Sequence, residues 1–333
     1  MSKAAELAAL IGSQTALSNR NLIINGAMQV AQRGTSFTNP AHAVYTLDRW
    51  VVLHSSDAAV DVSQSTTHPT GFKNSLKLDV TTADSSLASS QYYILNTRLE
   101  GQNLSHLNYG SSNAKQVTIS FWVRSNKTGT YFVEIQLMPG SQELARSYTI
   151  NTADTWEHKT LTWIANTDFA ITETNALGIH LYWWLAAGSI YTSSPLATTW
   201  AANTNRVTGQ TNFLDSTSNE FYLTGVQLEI GDVATPFEHR SFGDELLKCQ
   251  RYYRKVDTYS PTYLLTVRSS DDVRRLSHVF SKMRGDPTAT ILDSGGGTVT
   301  VQGTGKDSIQ FTVSGHGTSD APYVGSYTLD SEL

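Results

Sequence analysis

Over residues 116–138 apolar and polar side chains alternate almost without interruption. Val117, Ile119, Phe121 and Val123 fall on one parity, and Thr118, Ser120, Trp122 and Arg124 on the other. After Asn126-Lys127-Thr128-Gly129 the pattern resumes, with Tyr131, Val133, Ile135 and Leu137 set against Phe132, Glu134 and Gln136. A period of two belongs to a strand with one buried face and excludes a helix, whose apolar residues recur at three and four. The turn between two matched patterns predicts an antiparallel hairpin. Residues 177–185 repeat the signature: Ile179, Leu181, Trp183 and Leu185 share one face, and His180, Tyr182 and Trp184 the other.

Shorter strand patterns occupy 46–54, 59–64, 75–80, 92–99, 155–164 and 220–230, with turn-forming Ser, Thr, Asn and Asp clusters between them. Residues 21–34 read as a strand, a break at Asn25-Gly26 and a second strand. Many short strands without a fixed repeat predict an all-β sandwich or barrel and exclude a solenoid. Trp50, Trp156 and Trp163 are assigned to its core. Residues 187–219 form a long polar stretch with Trp200 in the middle; a loop of this length inside a compact domain is often functional.

The strand at 220–230 closes the sandwich, and Pro236 marks its exit. Ser241 and Asp244 stand at capping-box spacing, predicting a helix over 243–255 with Leu246, Cys249 and Tyr253 on one face. Residues 262–332 return to short strands, at 263–267, 276–281, 288–292, 299–302, 309–313 and 326–329. The expected division is 1–18, an N-terminal helix and attachment segment; 19–240, the sandwich; and 241–333, the helix and a small C-terminal β domain. With almost no linker at 230–241, the two β domains are expected in one fixed arrangement, Cys249 and Tyr253 being packing residues. The first segment carries Leu7, Leu10 and Ile11 on one face of a helix too short to stand alone. It docks on its own domain or inserts into a larger assembly.

Of the 333 residues only 16% are charged, so the surface is covered mainly by uncharged polar groups, as in β-rich extracellular or virion proteins. The net charge of −5 disfavours nucleic acid as a partner. A single cysteine, Cys249, excludes an internal disulfide and a cysteine-based zinc cluster. No apolar run approaches the roughly 20 residues that span a bilayer, so no membrane insertion is expected. Glu6 interrupts the apolar part of the N-terminus, which reads as no export signal. The chain is expected to be made in the host cytoplasm and to leave with an assembled particle. No nucleophile elbow, zinc-protease helix, phosphate loop or dinucleotide fingerprint is present, and the glycines at 295–297 form a turn. No enzyme is expected.

Several motifs carry a family likeness. Asn21-Leu22-Ile23-Ile24-Asn25-Gly26, Gln32-Arg33-Gly34-Thr35-Ser36-Phe37 and Asp48-Arg49-Trp50 resemble the opening of tailed-phage tail fibre and tail spike structural proteins. Thr224-Gly225-Val226-Gln227-Leu228-Glu229, Ala234-Thr235-Pro236-Phe237-Glu238-His239-Arg240, Cys249-Gln250-Arg251-Tyr252-Tyr253 and the ending Leu329-Asp330-Ser331-Glu332-Leu333 are similar to that family too. The first domain resembles jelly-roll carbohydrate-binding modules of the galactose-binding type, through Phe121-Trp122-Val123-Arg124, the strand from Thr155-Trp156 to Thr160-Leu161-Thr162, and Gly225-Val226-Gln227-Leu228-Glu229. The resemblance implies a homotrimeric virion tail appendage, bound to other tail or head proteins through its N-terminal region and attaching to host-surface glycan. A capsid-decorating or tail-adaptor protein and a glycan-degrading spike are the alternatives.

A glycan site mixes aromatic rings with polar groups. Trp122, Glu134, His180, Tyr182 and Trp184, joined by Arg124, Phe132 and Gln136, form such a face if their three strands are neighbours, with Trp200 as a lid. The other reading of that face is a second half of the core or a trimer interface. Jelly-roll sugar-binding modules often hold a structural Ca2+ through carboxylates and carbonyls. By position in the pattern Asp48 and Glu229 are the candidate ligands here, against hydrogen-bonded turn or strand residues.

Overall fold

The structure, a computed structural model, describes residues 19–140, 142–202, 206–263, 274–295, 297–314 and 323–333. The N-terminal helix expected within 1–18 and most of the strand expected at 263–267 lie outside them. The chain divides into two compact units, Met1–Phe242 and Gly243–Leu333.

The first unit is a sandwich of two six-stranded antiparallel sheets. Sheet I holds β1 (Ser36–Phe37), β4 (Ala59–Ser65), β5 (Ser75–Thr82), β7 (Val117–Ser125), β10 (Glu157–Trp163) and β12 (Glu220–Ile230). Sheet II holds β2 (Val44–Tyr45), β3 (Trp50–His54), β6 (Tyr92–Glu100), β8 (Gly129–Leu137), β9 (Gln142–Ile150) and β11 (Leu177–Ala187). Their orders are β1-β4-β5-β12-β7-β10 and β2-β3-β6-β11-β8-β9. Counted from β5, the eight successive strands run first-eighth-third-sixth in one sheet and second-seventh-fourth-fifth in the other. That order is a jelly roll.

The hairpin expected over 116–138 does not form. β7 pairs with β12 and β10, β8 with β11 and β9, and the link between them crosses from one sheet to the other. The crossing turns the apolar faces of β7 and β8 toward each other across the core. Phe121 meets Trp183 and Tyr148 edge-on, with ring centroids 5.9 and 5.1 Å apart, and Trp50 packs on Trp183 at 5.4 Å. Trp50 Nε1 donates to Asn25 O at 3.2 Å and Trp163 Nε1 to Leu144 O at 2.6 Å. These two buried indoles thus keep their hydrogen bonds, whereas Trp183 Nε1 is buried without a partner. Trp156, expected inside, lies half-buried on the outer side of sheet I, because it shares the parity of His158 rather than that of Leu161 and Trp163.

Residues 21–34 form no strand. β5 pairs with β12 only as far as Leu223, and β12 then bulges between Thr224 and Gln227, where Gly225 has φ +62°. The N-terminal segment takes up the backbone groups left there. Leu22 N donates to Leu228 O at 2.9 Å, Val226 N to Gly26 O at 2.9 Å, and Asn21 Nδ2 to Val226 O at 3.1 Å. Asn25 binds both Val30 N and Val30 O through its side chain. Side chains replace a regular ladder here, so two-residue alternation misleads.

The segment after β12 folds back over this region. Glu229 accepts from Thr235 N at 2.9 Å and Thr235 Oγ1 at 2.6 Å, and Gln227 Oε1 from Glu238 N at 2.8 Å. Glu238 in turn accepts from Asn21 N at 2.9 Å, and Arg240 donates to Ile23 O at 3.0 Å. The motifs at 21–26, 224–229 and 234–240 therefore meet in one structural clasp.

In the second unit, helix α2 (Phe242–Gln250) follows the short α1 (Ser189–Thr192) of the first unit in chain order. α2 ends before the expected residue 255, because Tyr253–Tyr263 already runs as strand β13. The remaining strands are β14 (Arg274–Val279), β15 (Thr288–Gly295), β16 (Thr298–Thr304), β17 (Ser308–Ser314) and β18 (Tyr323–Asp330). They form two three-stranded sheets, β13-β18-β15 and β14-β17-β16. Phe280, Met283, Ile309, Phe311, Tyr327 and Leu329 share their core. No helix among the described residues is long and apolar enough to cross a membrane.

Candidate functional site

Alternation along β8 and β11 turns Glu134, His180, Tyr182 and Trp184 to the outer side of sheet II. Register places Tyr182 opposite Glu134, His180 opposite Gln136 and Trp184 opposite Phe132. Trp184 Nε1 donates to Glu134 Oε2 at 2.8 Å, Tyr182 Oη donates to Gln136 Oε1 at 2.8 Å, and the His180 and Tyr182 rings stack at 5.0 Å. The expected face exists, but it is covered. Trp184 is 1% exposed and Glu134 not at all. Val207 packs against Phe132, Ala145, Tyr182 and Trp184, with Tyr191 and Leu196 beside them.

Arg206, from the same long polar stretch, lies 3.5 Å from Glu134 and donates to Glu143 at 2.9 Å. Burial pushes the Glu134 carboxyl well above the usual range, and the Arg206 charge opposes it. Burial and the Arg98 charge hold His180 far below the usual imidazole range, at about 3, so it is neutral at pH 7. Trp200 is no lid over these rings. Its Nε1 donates to Ile164 O at 2.9 Å and its ring packs on the main core beside Tyr109, so it anchors the stretch.

Trp122 stands on the opposite sheet, apart from the other candidates. Cross-strand register on the outer side of sheet I sets it beside His158, Arg124 beside Tyr222, and Tyr222 beside Lys77. The Trp122 and His158 centroids are 5.1 Å apart, and those of Trp156 and Tyr222 6.2 Å. The Arg124 guanidinium lies 4.9 Å from the Tyr222 centroid and Lys77 Nζ 5.8 Å, so the ring sits between two cations. Those cations are matched by carboxylates: Lys77 to Asp79 at 2.9 Å and Glu220 at 2.8 Å, Arg124 to Asp154 at 2.7 Å. The hydrogen bond from Lys77 holds Glu220 below its usual range.

Trp122 and Trp156 are half-buried and His158 is exposed, so this band meets solvent. Four neighbouring strands contribute to it, a span of roughly 14 Å at the spacing of paired strands. Trp156, His158, Tyr222 and Lys77 were missed by the sequence reading. Their signal was parity: 156 and 158 share one outward phase, as do 220 and 222.

Asp48 and Glu229 are bound by the chain itself. Gln32 N donates to Asp48 Oδ2 at 2.7 Å and Gln32 Nε2 to Oδ1. Gln227 Nε2 and Thr235 N share Glu229 Oε1, and Thr235 Oγ1 takes Oε2. Both are hydrogen-bonded structural residues. Among the described residues no group of three or more His, Cys, Asp or Glu side chains is placed to hold a metal ion.

No protein-family model and no curated protein matches the chain. Solved structures match at low identity. The enzymatically active domain of tailspike protein 4 from bacteriophage CBA120 is 10% identical with a TM-score of 0.33, over 64% of this chain and 22% of that one. A structure titled "CBM4 structure and function" is 14% identical with a TM-score of 0.35, over 62% and 98% of the two chains. TmCBM61 in complex with β-1,4-galactotriose is 12% identical with a TM-score of 0.32, over 64% and 100%. The chain thus spans about a fifth of the tailspike domain's length. The jelly-roll assignment rests on strand order, not on these likenesses.

Proposed function

We propose that the chain is a virion structural protein of a tailed phage, carried on a tail fibre or spike, that attaches the particle to host-surface glycan without breaking a bond. The observation that carries the glycan reading is the solvent-facing band of Trp122, His158 and Trp156 on sheet I, backed by the buried ring of Tyr222. Sugars offer C–H faces to aromatic rings and hydroxyls to charged or amide groups. The band supplies rings flanked by charge-matched carboxylates and cations, which suits an uncharged oligosaccharide. The motifs shared with tailed-phage structural proteins support the virion setting. A homotrimer would present three such faces, raising avidity without new contacts.

Binding of the purified chain to a host-glycan array tests this reading. Loss of at least about tenfold in affinity is expected for Trp122→Ala. Unchanged binding in both Trp122→Ala and Trp156→Ala removes the band from the site, and release of reducing ends from host polysaccharide makes the protein an enzyme. A structural role in a capsid-decorating or tail-adaptor protein is the second reading. It is favoured by the closure of the sheet II face under the chain's own loop. Failure of every host glycan to bind, with Trp122 buried against another protein on the imaged particle, decides for it.

A further inference from the structure

The described chain begins beside a group of aromatic rings in the first unit. Asn19 N and Asn21 N both donate to the Glu238 carboxylate, the second at 2.9 Å, and the Arg20 guanidinium donates to Pro236 O. Residues 19–21 are thereby pinned to 236–238, which carry Phe237. The Phe237 ring packs on Phe72, with centroids 5.1 Å apart, and on His239 at 4.9 Å, and His239 lies 5.3 Å from Phe72. Phe72 is buried, Phe237 half-buried and His239 exposed, so the cluster opens to solvent on its Phe237 and His239 side. Val233, on the same segment, is 69% exposed.

The cluster rests on the β12 bulge. A Cβ on Gly225 would stand 2.6 Å from Phe72 Cζ and 3.0 Å from Trp122 Cδ1. Phe72 is thus seated directly on backbone, and the rings above it form a surface already in place before anything binds. Trp122 abuts the same glycine, so the cluster adjoins the sheet I band.

Residues 1–18 precede this anchor and lie outside the described residues. Leu7, Leu10 and Ile11 stand at helical spacing on one side of a stretch too short to hold a helix in water without a surface to bury them. Residues 12–18 extend at most about 25 Å, which keeps those apolar positions within reach of 233–239. So short a tether sets the segment over its own cluster at an effective concentration of the order of millimolar, well above that of a second copy in a micromolar solution.

We propose that the N-terminal segment docks on the ring cluster of its own chain, with Leu7, Leu10 and Ile11 laid against Phe237 and His239. Half-open rings on a fixed base suit aliphatic side chains, and burying them supplies the packing that a helix of this length lacks. The docking does not depend on the sheet I band binding anything.

Amide hydrogen exchange on the intact chain tests it. Amides of residues 7–11 are expected to exchange at least about tenfold more slowly than an unstructured chain, at rates that do not change on dilution. Phe237→Ser and Leu10→Ser are each expected to return them to the unstructured rate. Leu10→Ser lies outside the sandwich, so its effect is read on a folded sandwich even where Phe237→Ser unfolds. It is also expected to speed exchange at 237–239, because coupling between two surfaces is reciprocal. Unstructured rates at 7–11 in the parent overturn the proposal. So does protection that survives either substitution, or that Leu10→Ser removes without change at 237–239, which places the segment on another surface. Protection that falls on dilution makes a second copy the occupant and overturns the docking within one chain.

Discussion

Carboxylates do structural duty in this protein by collecting donors. Burial raises the Asp48 carboxyl, and the two donors from Gln32 oppose that rise. Asp48→Asn turns an amide NH2 against one of those donors and is expected to cost about 1–3 kcal/mol, read from the urea midpoint. An unshifted midpoint would mean that Gln32 finds another acceptor. Glu157 goes the other way. Burial alone would raise it, but Lys159 and the N–H groups of Asn151 and Thr152 together bring it down to about 2, from an ordinary 4.5. A carboxylate lowered on folding adds stability above its unfolded value, and that stability is lost as pH falls toward the folded one. Melting curves between pH 5 and pH 2 are therefore expected to fall more steeply for the parent than for Glu157→Gln, and parallel curves would refute the assignment.

At the level of elements, the bulge of β12 organises the first unit. Gly225 lets the strand change parity, so that Phe221 and Leu223 before it and Val226 and Leu228 after it all face the core. Gly26 lies against the same bulge, where a Cβ would sit 2.1 Å from Val226 O. Gly26→Ala is expected to lose about 2–4 kcal/mol, or to fail to fold, as measured by thermal unfolding. The cover over sheet II depends on Arg206. Replacing it with Met leaves Glu134 and Glu143 buried without that cation, at a cost of about 3 kcal/mol at neutral pH. Protonation of the raised Glu134 carboxyl relieves that charge, so the deficit against the parent is expected to narrow as pH falls. A deficit independent of pH would mean that lost packing, not charge, is the cause.

At the scale of the molecule, each unit has its own core, and Cys249 is fully buried in the second. Thiol modification of native protein is expected to be slow and to complete only on unfolding, and rapid labelling would show that α2 opens readily. Local pattern was enough for the all-β class, for the phases of the long strands and for the core indoles of Trp50 and Trp163, but not for Trp156, which it wrongly placed inside. These follow from the two-residue period, which backbone geometry imposes locally. It also placed Glu134, His180, Tyr182 and Trp184 on one face, since β8 and β11 each keep their phase. Which strands pair is settled only when the whole chain packs. β7 and β8 carry matching patterns yet join opposite sheets, because alternation records that a face is buried and not which surface buries it. For the same reason sequence could not separate Trp122, which stays at the solvent, from Trp184, which Val207 covers from more than twenty residues away in the chain. Exposure is a property of the packed whole, and it moved the candidate site from sheet II to sheet I.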